Sequence, residues 1–161
     1  MQEQMDKIID ISVTLSKDTV IYPGDPTPEY MLFCSLADGG IANVGGMKHG
    51  LHHGTHVDVP YHFKDGERTF EQMPLSHWVG PALVVDATQE DVCISAKTLE
   101  GIDLDKHKRI LFKTKNSLDY YKRPEFYEKF IYLDKSACEL MAKHNVLTVG
   151  LDYITVDPFG S

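Results

Sequence analysis

The sequence predicts an α+β or α/β layered domain, and three observations carry that expectation. Short segments rich in β-branched and aromatic residues recur along the chain, separated by Gly, Pro, Asn and Asp. Helical patterning is scarce and late, and is clearest over Asp134–His144. That helix is followed at once by an apolar run, Val146–Leu151, the order expected of helices laid on a sheet. With 161 residues, 42% hydrophobic and 25% charged, the chain reads as one domain (1–161) able to bury a core.

Taken in order, Ile8–Leu15 is β-rich, alternates in part from Ile9, and is expected as a first strand. Tyr22-Pro23-Gly24-Asp25 has the Pro-then-Gly order of a type II turn. Glu29–Leu36 and Ile41–Lys48 are expected as strands broken by Asp38-Gly39-Gly40, with a bulge or close backbone approach at Gly45-Gly46. Glu71–Trp78 allows only a short helix near Pro74. Pro81–Ala87 is expected as a buried strand, Ser95–Gly101 as a short helix capped by Ser95, and Arg109–Thr114 as a strand. Tyr120–Phe130 mixes aromatics and charges around Pro124 and reads as irregular. In the late helix, Ala137, Leu140 and Met141 share a face, Ser136 and Glu139 have capping-box spacing, and Asn145 suits the end.

Charge narrows the function classes. Sixteen basic residues stand against 24 acidic ones, a net charge of −8, and no basic run is present, so a nucleic-acid partner is not expected. No apolar run approaches the ~20 residues that span a bilayer, and the polar MQEQMDK start lacks signal-peptide form. Cys34, Cys93 and Cys138 are odd in number with no CxxC, which fits a reducing compartment and buried thiols. The expected location is cytoplasmic, with no membrane association.

The stretch that carries chemistry is His52-His53-Gly54-Thr55-His56-Val57-Asp58-Val59-Pro60-Tyr61-His62. Gly, Pro and β-branched residues argue against a helix, and an extended reading sends alternate side chains to opposite faces. His52, His56, Asp58 and His62 then share one face, while His53, Thr55, Val57, Val59, Tyr61 and Phe63 form a mostly apolar face able to pack on a core. Imidazole nitrogen and carboxylate oxygen suit a divalent cation such as zinc. His56 and Asp58, two apart, lie roughly 6.5 Å apart at Cβ and can share an ion. His52 and His56, about 13 Å apart if extended, can join only if the chain bends, and Gly54 is where it could.

The motif His52-x-Gly54-Thr55-His56-x-Asp58-x-Pro60-x-His62 resembles the signature of the cyclase-like metal-dependent hydrolases, a family that includes bacterial kynurenine formamidase and isatin hydrolase. Further pieces fall in that family's order: Asp10-Ile11-Ser12, Pro23-Gly24-Asp25, Val79-Gly80-Pro81 with Asp86, Phe112-Lys113-Thr114, Gly150-Leu151-Asp152 and Val156-Asp157-Pro158. The resemblance implies a swivelling β/β/α fold, a homo-oligomer (dimer or tetramer), and one or two ions, zinc or manganese. It implies His52, His56 and Asp58 as ligands, with Asp58 able to bridge, and His62 as the acid/base residue. The implied substrate is a small-molecule amide, most specifically the arylformamide N-formyl-L-kynurenine of tryptophan degradation. Alternatives are a cyclic amide such as isatin, or a non-catalytic metal-binding homologue. Where kynurenine formamidases place Trp before Pro-Gly-Asp as a stacking surface, this chain has Tyr22, the expected substrate contact. The family pattern runs on past a Val-Asp-Pro segment to a further His and Glu, so the fold is expected without its C-terminal part.

Other polar residues have simpler expected roles: His53 packing, His49 polar lining, His77 beside Trp78 packing or surface, His107 surface, and His144 at a helix end. Asp152 and Asp157 could reach a site from a strand end or serve as caps.

Overall fold

A computed structural model describes residues 8–120 and 122–161. The two antiparallel strands β1 (Glu29–Cys34) and β2 (Val44–Lys48) form a hairpin of their own. Three parallel strands, β3 (Leu83–Asp86), β5 (Arg109–Lys113) and β7 (Thr148–Leu151), lie in the order β3-β5-β7. A second parallel pair joins β4 (Cys93–Ile94) to β6 (Tyr132–Leu133). The helices are α1 (Pro60–Phe63) and α2 (Lys135–Lys143), with four 3-10 turns and a π turn over Asn116–Tyr120. This is the mixed α/β architecture expected.

The core follows from the central strand. On β5, Ile110 and Phe112 are buried and pack with Ile94, Leu99, Ile131, Leu133, Ala137 and Met141. Fully burying each large side chain contributes about 2 kcal/mol, so this cluster is the main stabilising mass. A second, aromatic cluster gathers Val20, Phe130, Tyr153 and Ile154, with Tyr22 and Phe126 against it.

Buried polar groups join the ends of the parallel strands. The Asp152 carboxylate, just past β7, accepts from the Thr114 amide at 2.8 Å and hydroxyl at 2.7 Å, and from the Ser117 hydroxyl at 2.6 Å. Buried Asn116 bridges one residue twice, its side-chain amide donating to the Ile131 carbonyl and its oxygen accepting from the Ile131 amide, both at 2.8 Å. Of the two roles left open for Asp152, the structure gives the structural one. No helix among the described residues is long and apolar enough to cross a membrane.

Several expectations need correction. Ile8–Leu15 is not a strand, and Ile11 is 77% exposed. A β-rich segment becomes a strand only with a partner for its backbone, and here the Val13 amide instead donates to the Thr55 hydroxyl at 2.8 Å. Pro81–Ala87 does form β3, but at a sheet edge with Val84 61% exposed, not as a buried strand. Its continuous apolar character reads the same in both settings. Helix α2 is capped by Asp134, which accepts from the Ala137 amide at 2.9 Å, rather than by Ser136. The Ser136 hydroxyl donates to Asp134 and accepts from the Ala96 amide, tying α2 to the turn after β4. The three cysteines are free, but none is buried as expected: Cys34 and Cys93 are partly exposed, and Cys138 is exposed on α2.

Asn116→Ala should leave the Ile131 amide and carbonyl buried without partners, costing about 2 kcal/mol. A urea titration should show the midpoint drop with an unchanged slope, whereas an unaltered midpoint would remove Asn116 from the folding account.

Candidate metal centre

The site is built by a bend. Gly54 has φ +71, a left-handed backbone conformation that side chains with a Cβ rarely adopt. A Cβ there would also strike the Leu15 side chain. The reversal starts with a turn at Leu51-His52 and ends in an extended stretch from His56 to Val59. Pro60 then opens α1 at its first position, where its missing N–H costs nothing. The stretch is therefore not one strand, and His62 reaches the site from a helical turn.

The bend brings His52, His56 and Asp58 together, each offering a ligand atom within 4.8 Å of the others. His52 Nδ1 lies 2.7 Å from Asp58 Oδ1, and His56 Nε2 lies 3.4 Å from the same oxygen. The His52 and His56 rings sit edge to face with centroids 5.1 Å apart. The His62 ring stands 4.0 Å from that of His52 and is exposed. The three expected ligands and His62 are thus neighbours.

Hydrogen bonds fix the nitrogen atoms. His56 Nδ1 donates to the Gly54 carbonyl at 2.9 Å, which leaves Nε2 as the nitrogen that faces Asp58, carrying a proton when it bonds the carboxylate and offering its lone pair when the ring is neutral. Ligand atoms around a tetrahedral ion with bonds near 2.1 Å stand about 3.4 Å apart, so the His56–Asp58 pair already has a ligand separation. The His52–Asp58 contact is a direct hydrogen bond, which an entering ion would replace by spreading the pair roughly 0.7 Å. These donors fit a divalent cation.

Electrostatics agree with the geometry. The bond to Asp58 holds the His56 imidazole above its usual range, against the opposing effect of burial. Burial pushes the Asp58 carboxyl up, but the bond from His56 and the charges of His56, His52 and His62 outweigh it, leaving it below the usual carboxylate range.

The surroundings were only partly foreseen. His53 is buried, and its Nε2 meets the Tyr30 hydroxyl at 3.1 Å, which anchors the bend to β1. Burial, then the neighbouring His49, holds the His53 imidazole below its usual range. The apolar face expected to pack does not: Val57, Tyr61 and Phe63 are about half exposed, because the core lies in the parallel sheet away from this loop. Tyr22 heads the turn expected of it, with Gly24 at φ +95 and the Asp25 amide donating to the Tyr22 carbonyl at 3.0 Å. Its ring packs on Phe126 and Phe159 at 5.1 and 5.8 Å, so it is a half-buried member of the aromatic cluster rather than a free platform. What the turn does carry toward the site is Asp25, whose charge acts on His56 and whose carboxylate lies near Gly50. Only the Pro-Gly-Asp order hinted at that residue. His77 is half-buried beside Trp78, and His144 closes α2 and pairs with Asp105 at 3.0 Å.

A family model described as "Putative cyclase" matches residues 9–158. The chain belongs to this cyclase family. Kynurenine formamidase of Bacillus anthracis is 30% identical over 152 residues, covering 94% of this chain and 71% of that protein. The kynurenine formamidase of Bacillus cytotoxicus (strain DSM 22905 / CIP 110041 / 391-98 / NVH 391-98) is 29% identical over 150 residues, covering 93% and 70%. A solved structure described as a potential metal-dependent hydrolase with cyclase activity superposes with a TM-score of 0.79 at 25% identity, over 96% of this chain and 72% of that one. A solved structure described as a predicted metal-dependent hydrolase from Bacillus stearothermophilus gives 0.77 at 26% identity, over 96% and 73%. The cyclase-like hydrolase fold expected from the histidine motif is therefore the fold of this chain, which spans about 70% of its relatives' length.

A raised His56 stabilises the metal-free chain fully below its ordinary value of 6.5, and that contribution is lost as pH rises through the raised value. A lowered Asp58 contributes above 3.8, and that contribution is lost as pH falls through the lowered value. The pair thus stabilises the metal-free fold most between about pH 4 and 6.5. Thermal melts in chelator should show the difference between wild type and His56→Ala greatest in that window and shrinking toward pH 9 or so. A difference that grew with pH would contradict the pairing.

Proposed function

We propose that this chain is a metal-dependent amide hydrolase, an arylformamidase that releases formate from N-formyl-L-kynurenine. The single observation that carries the reading is the convergence of His52, His56 and Asp58 with the exposed His62 ring beside them. The similarity to kynurenine formamidases supports the choice of substrate.

His52 and His56 through ring nitrogen and Asp58 through its carboxylate would hold one or two zinc or manganese ions. An ion held there supplies a Lewis acid for the formyl oxygen and water acidified to a pKa of about 7. The remaining work belongs to the chain. The Gly54 carbonyl keeps His56 in the tautomer that offers Nε2. Asp58 balances cationic charge in a half-buried setting where it is weakly screened. His62, outside the ligand set, takes the proton from the attacking water and gives it to the amide nitrogen as the carbon–nitrogen bond breaks, leaving formate and an aryl amine. Tyr22, at the head of the turn that carries Asp25, offers the edge of the aromatic cluster to the aryl ring.

With zinc or manganese added, formate release from N-formylkynurenine should fall at least about 100-fold in His62→Ala while metal content is retained, since general acid–base catalysis contributes that much. His56→Ala and Asp58→Asn should lose metal as well, read by elemental analysis after dialysis. Retained metal with no turnover on formamides, and turnover on isatin instead, would move the assignment to a cyclic amide. Retained metal with no turnover on either would leave a metal-binding homologue.

A further inference from the structure

One carboxylate beside the metal centre has no partner of its own. Asp25 is half-buried, and its side chain makes no hydrogen bond or ion pair among the described residues. Its place is fixed from both sides. Gly24 takes φ +95 and the Asp25 amide donates to the Tyr22 carbonyl at 3.0 Å, while Pro26 disfavours helical backbone at the residue before it. The Tyr22 ring, packed on Phe126 and Phe159 at 5.1 and 5.8 Å, moors the turn to the aromatic cluster. On its other flank the turn lies against the start of the ligand loop. A Cβ on Gly50 would stand 3.4 Å from Pro26 Cδ and 3.9 Å from Asp25 Oδ2, so the carboxylate borders the backbone just ahead of His52. The Gly50 carbonyl is itself held by His49 Nδ1 at 2.6 Å.

We propose that Asp25 is the outer carboxylate of the metal centre, a positioning residue that strengthens binding of a divalent cation through its charge without ligating it. The ligand atoms of His52, His56 and Asp58 converge within 4.8 Å of one another, and Asp25 stands outside that group. Its charge nevertheless reaches the centre, where it favours positive charge on His56. A divalent cation held there would feel the same field with twice the charge of an imidazolium. Charge balance asks for such a group. Two neutral imidazoles and the Asp58 carboxylate leave one bound divalent ion with an uncompensated positive charge, which Asp25 offsets from beyond the ligands. Half-burial makes the offset effective, since a charge partly out of water is weakly screened. Conversely, a cation in the centre gives the Asp25 carboxylate the opposite charge that its own surroundings withhold. The carboxylate is in place before the ion arrives, because Pro23 and Gly24 preset the turn that carries it.

This role rests on the metal centre proposed above, and one titration separates the two. Zinc affinity of the metal-free 161-residue chain is measured by competition with a chromophoric chelator, with no substrate present. Asp25→Asn should bind zinc about tenfold more weakly than wild type, a loss usual for a group just outside the ligands. The gap should narrow as ionic strength rises from about 0.01 to about 1 M, where the screening length falls from about 30 to about 3 Å. Asp25→Glu, which keeps the charge, should stay closer to wild type than Asp25→Asn does. Glu100→Gln, which removes the same charge from an exposed position beside the core residue Leu99, should leave the affinity unchanged. Circular dichroism and melting of the metal-free chains should show all three variants folded as wild type is. A wild type that takes up zinc, with Asp25→Asn equal to it, overturns the role of Asp25 and leaves the metal centre standing. An Asp25→Asn chain that has lost its fold overturns it too, as does a loss that salt does not touch and Asp25→Glu shares, because the shape of the turn would then be the cause. A wild type that takes up no zinc overturns the centre and the role of Asp25 together.

Discussion

One backbone conformation decides whether this chain has a site at all. With Gly54 left-handed, the chain reverses between His52 and His56, and two imidazoles that an extended segment would hold about 13 Å apart reach the same carboxylate oxygen. Any residue with a Cβ at position 54 would meet two obstacles, the strained φ and the Leu15 side chain. The glycine thus does in one position what would otherwise need two ligands from separate elements. The same carbonyl that ends the bend also accepts from His56 Nδ1, so the turn sets both the position and the tautomer of one ligand.

A loop made mostly of turn and extended backbone needs external support to hold such geometry, and the support comes from three directions. The Thr55 hydroxyl takes the Val13 amide, so the N-terminal segment lies along the bend. The buried His53 meets Tyr30 of β1. Pro60 starts α1 two residues after Asp58, which turns His62 back toward His52 instead of letting it continue down a strand. The hydrophobic core lies elsewhere, in the β3-β5-β7 sheet and its covering helix. Stability and chemistry are therefore carried by different parts of the fold, and a site outside the core can be rearranged by a ligand at little cost to the rest.

The sequence made the site more legible than the scaffold. His52, His56, Asp58 and His62 could be read because ligand chemistry constrains residue type and spacing together, and because the one weakness of the extended reading pointed to Gly54 as its remedy. The type II turn at Pro23-Gly24 and the left-handed Asn145 after α2 were readable for a similar local reason, since few residues accept those conformations. What could not be read depended on partners distant in sequence. Ile8–Leu15 and Pro81–Ala87 have the composition of strands, but composition does not say whether a neighbour is present or whether a strand lies at an edge. The apolar residues between the ligands looked like a packed face and are half exposed, because alternation records the local backbone rather than what lies against it. Tyr22 was drawn toward the site by its turn and toward Phe126 by its ring, and only coordinates separate the two.

Proton and cation compete for the same atoms here. Without an ion, the Asp58 carboxylate sits among three imidazoles, and the most favourable arrangement protonates a histidine to pair with it, which is why His56 is pushed up and Asp58 down. A divalent cation entering the same space does the work of that proton with twice the charge, and it requires the imidazoles neutral. The ligand set is thus preorganised in its metal-free form by the interaction that the metal would replace: the 3.4 Å His56–Asp58 separation is already a ligand spacing, and only His52 must withdraw. Because binding must expel the proton, affinity for the ion should rise with pH up to the raised value of His56 and level off beyond it. The exposed His62 ring stands against His52, adjacent to but outside that set.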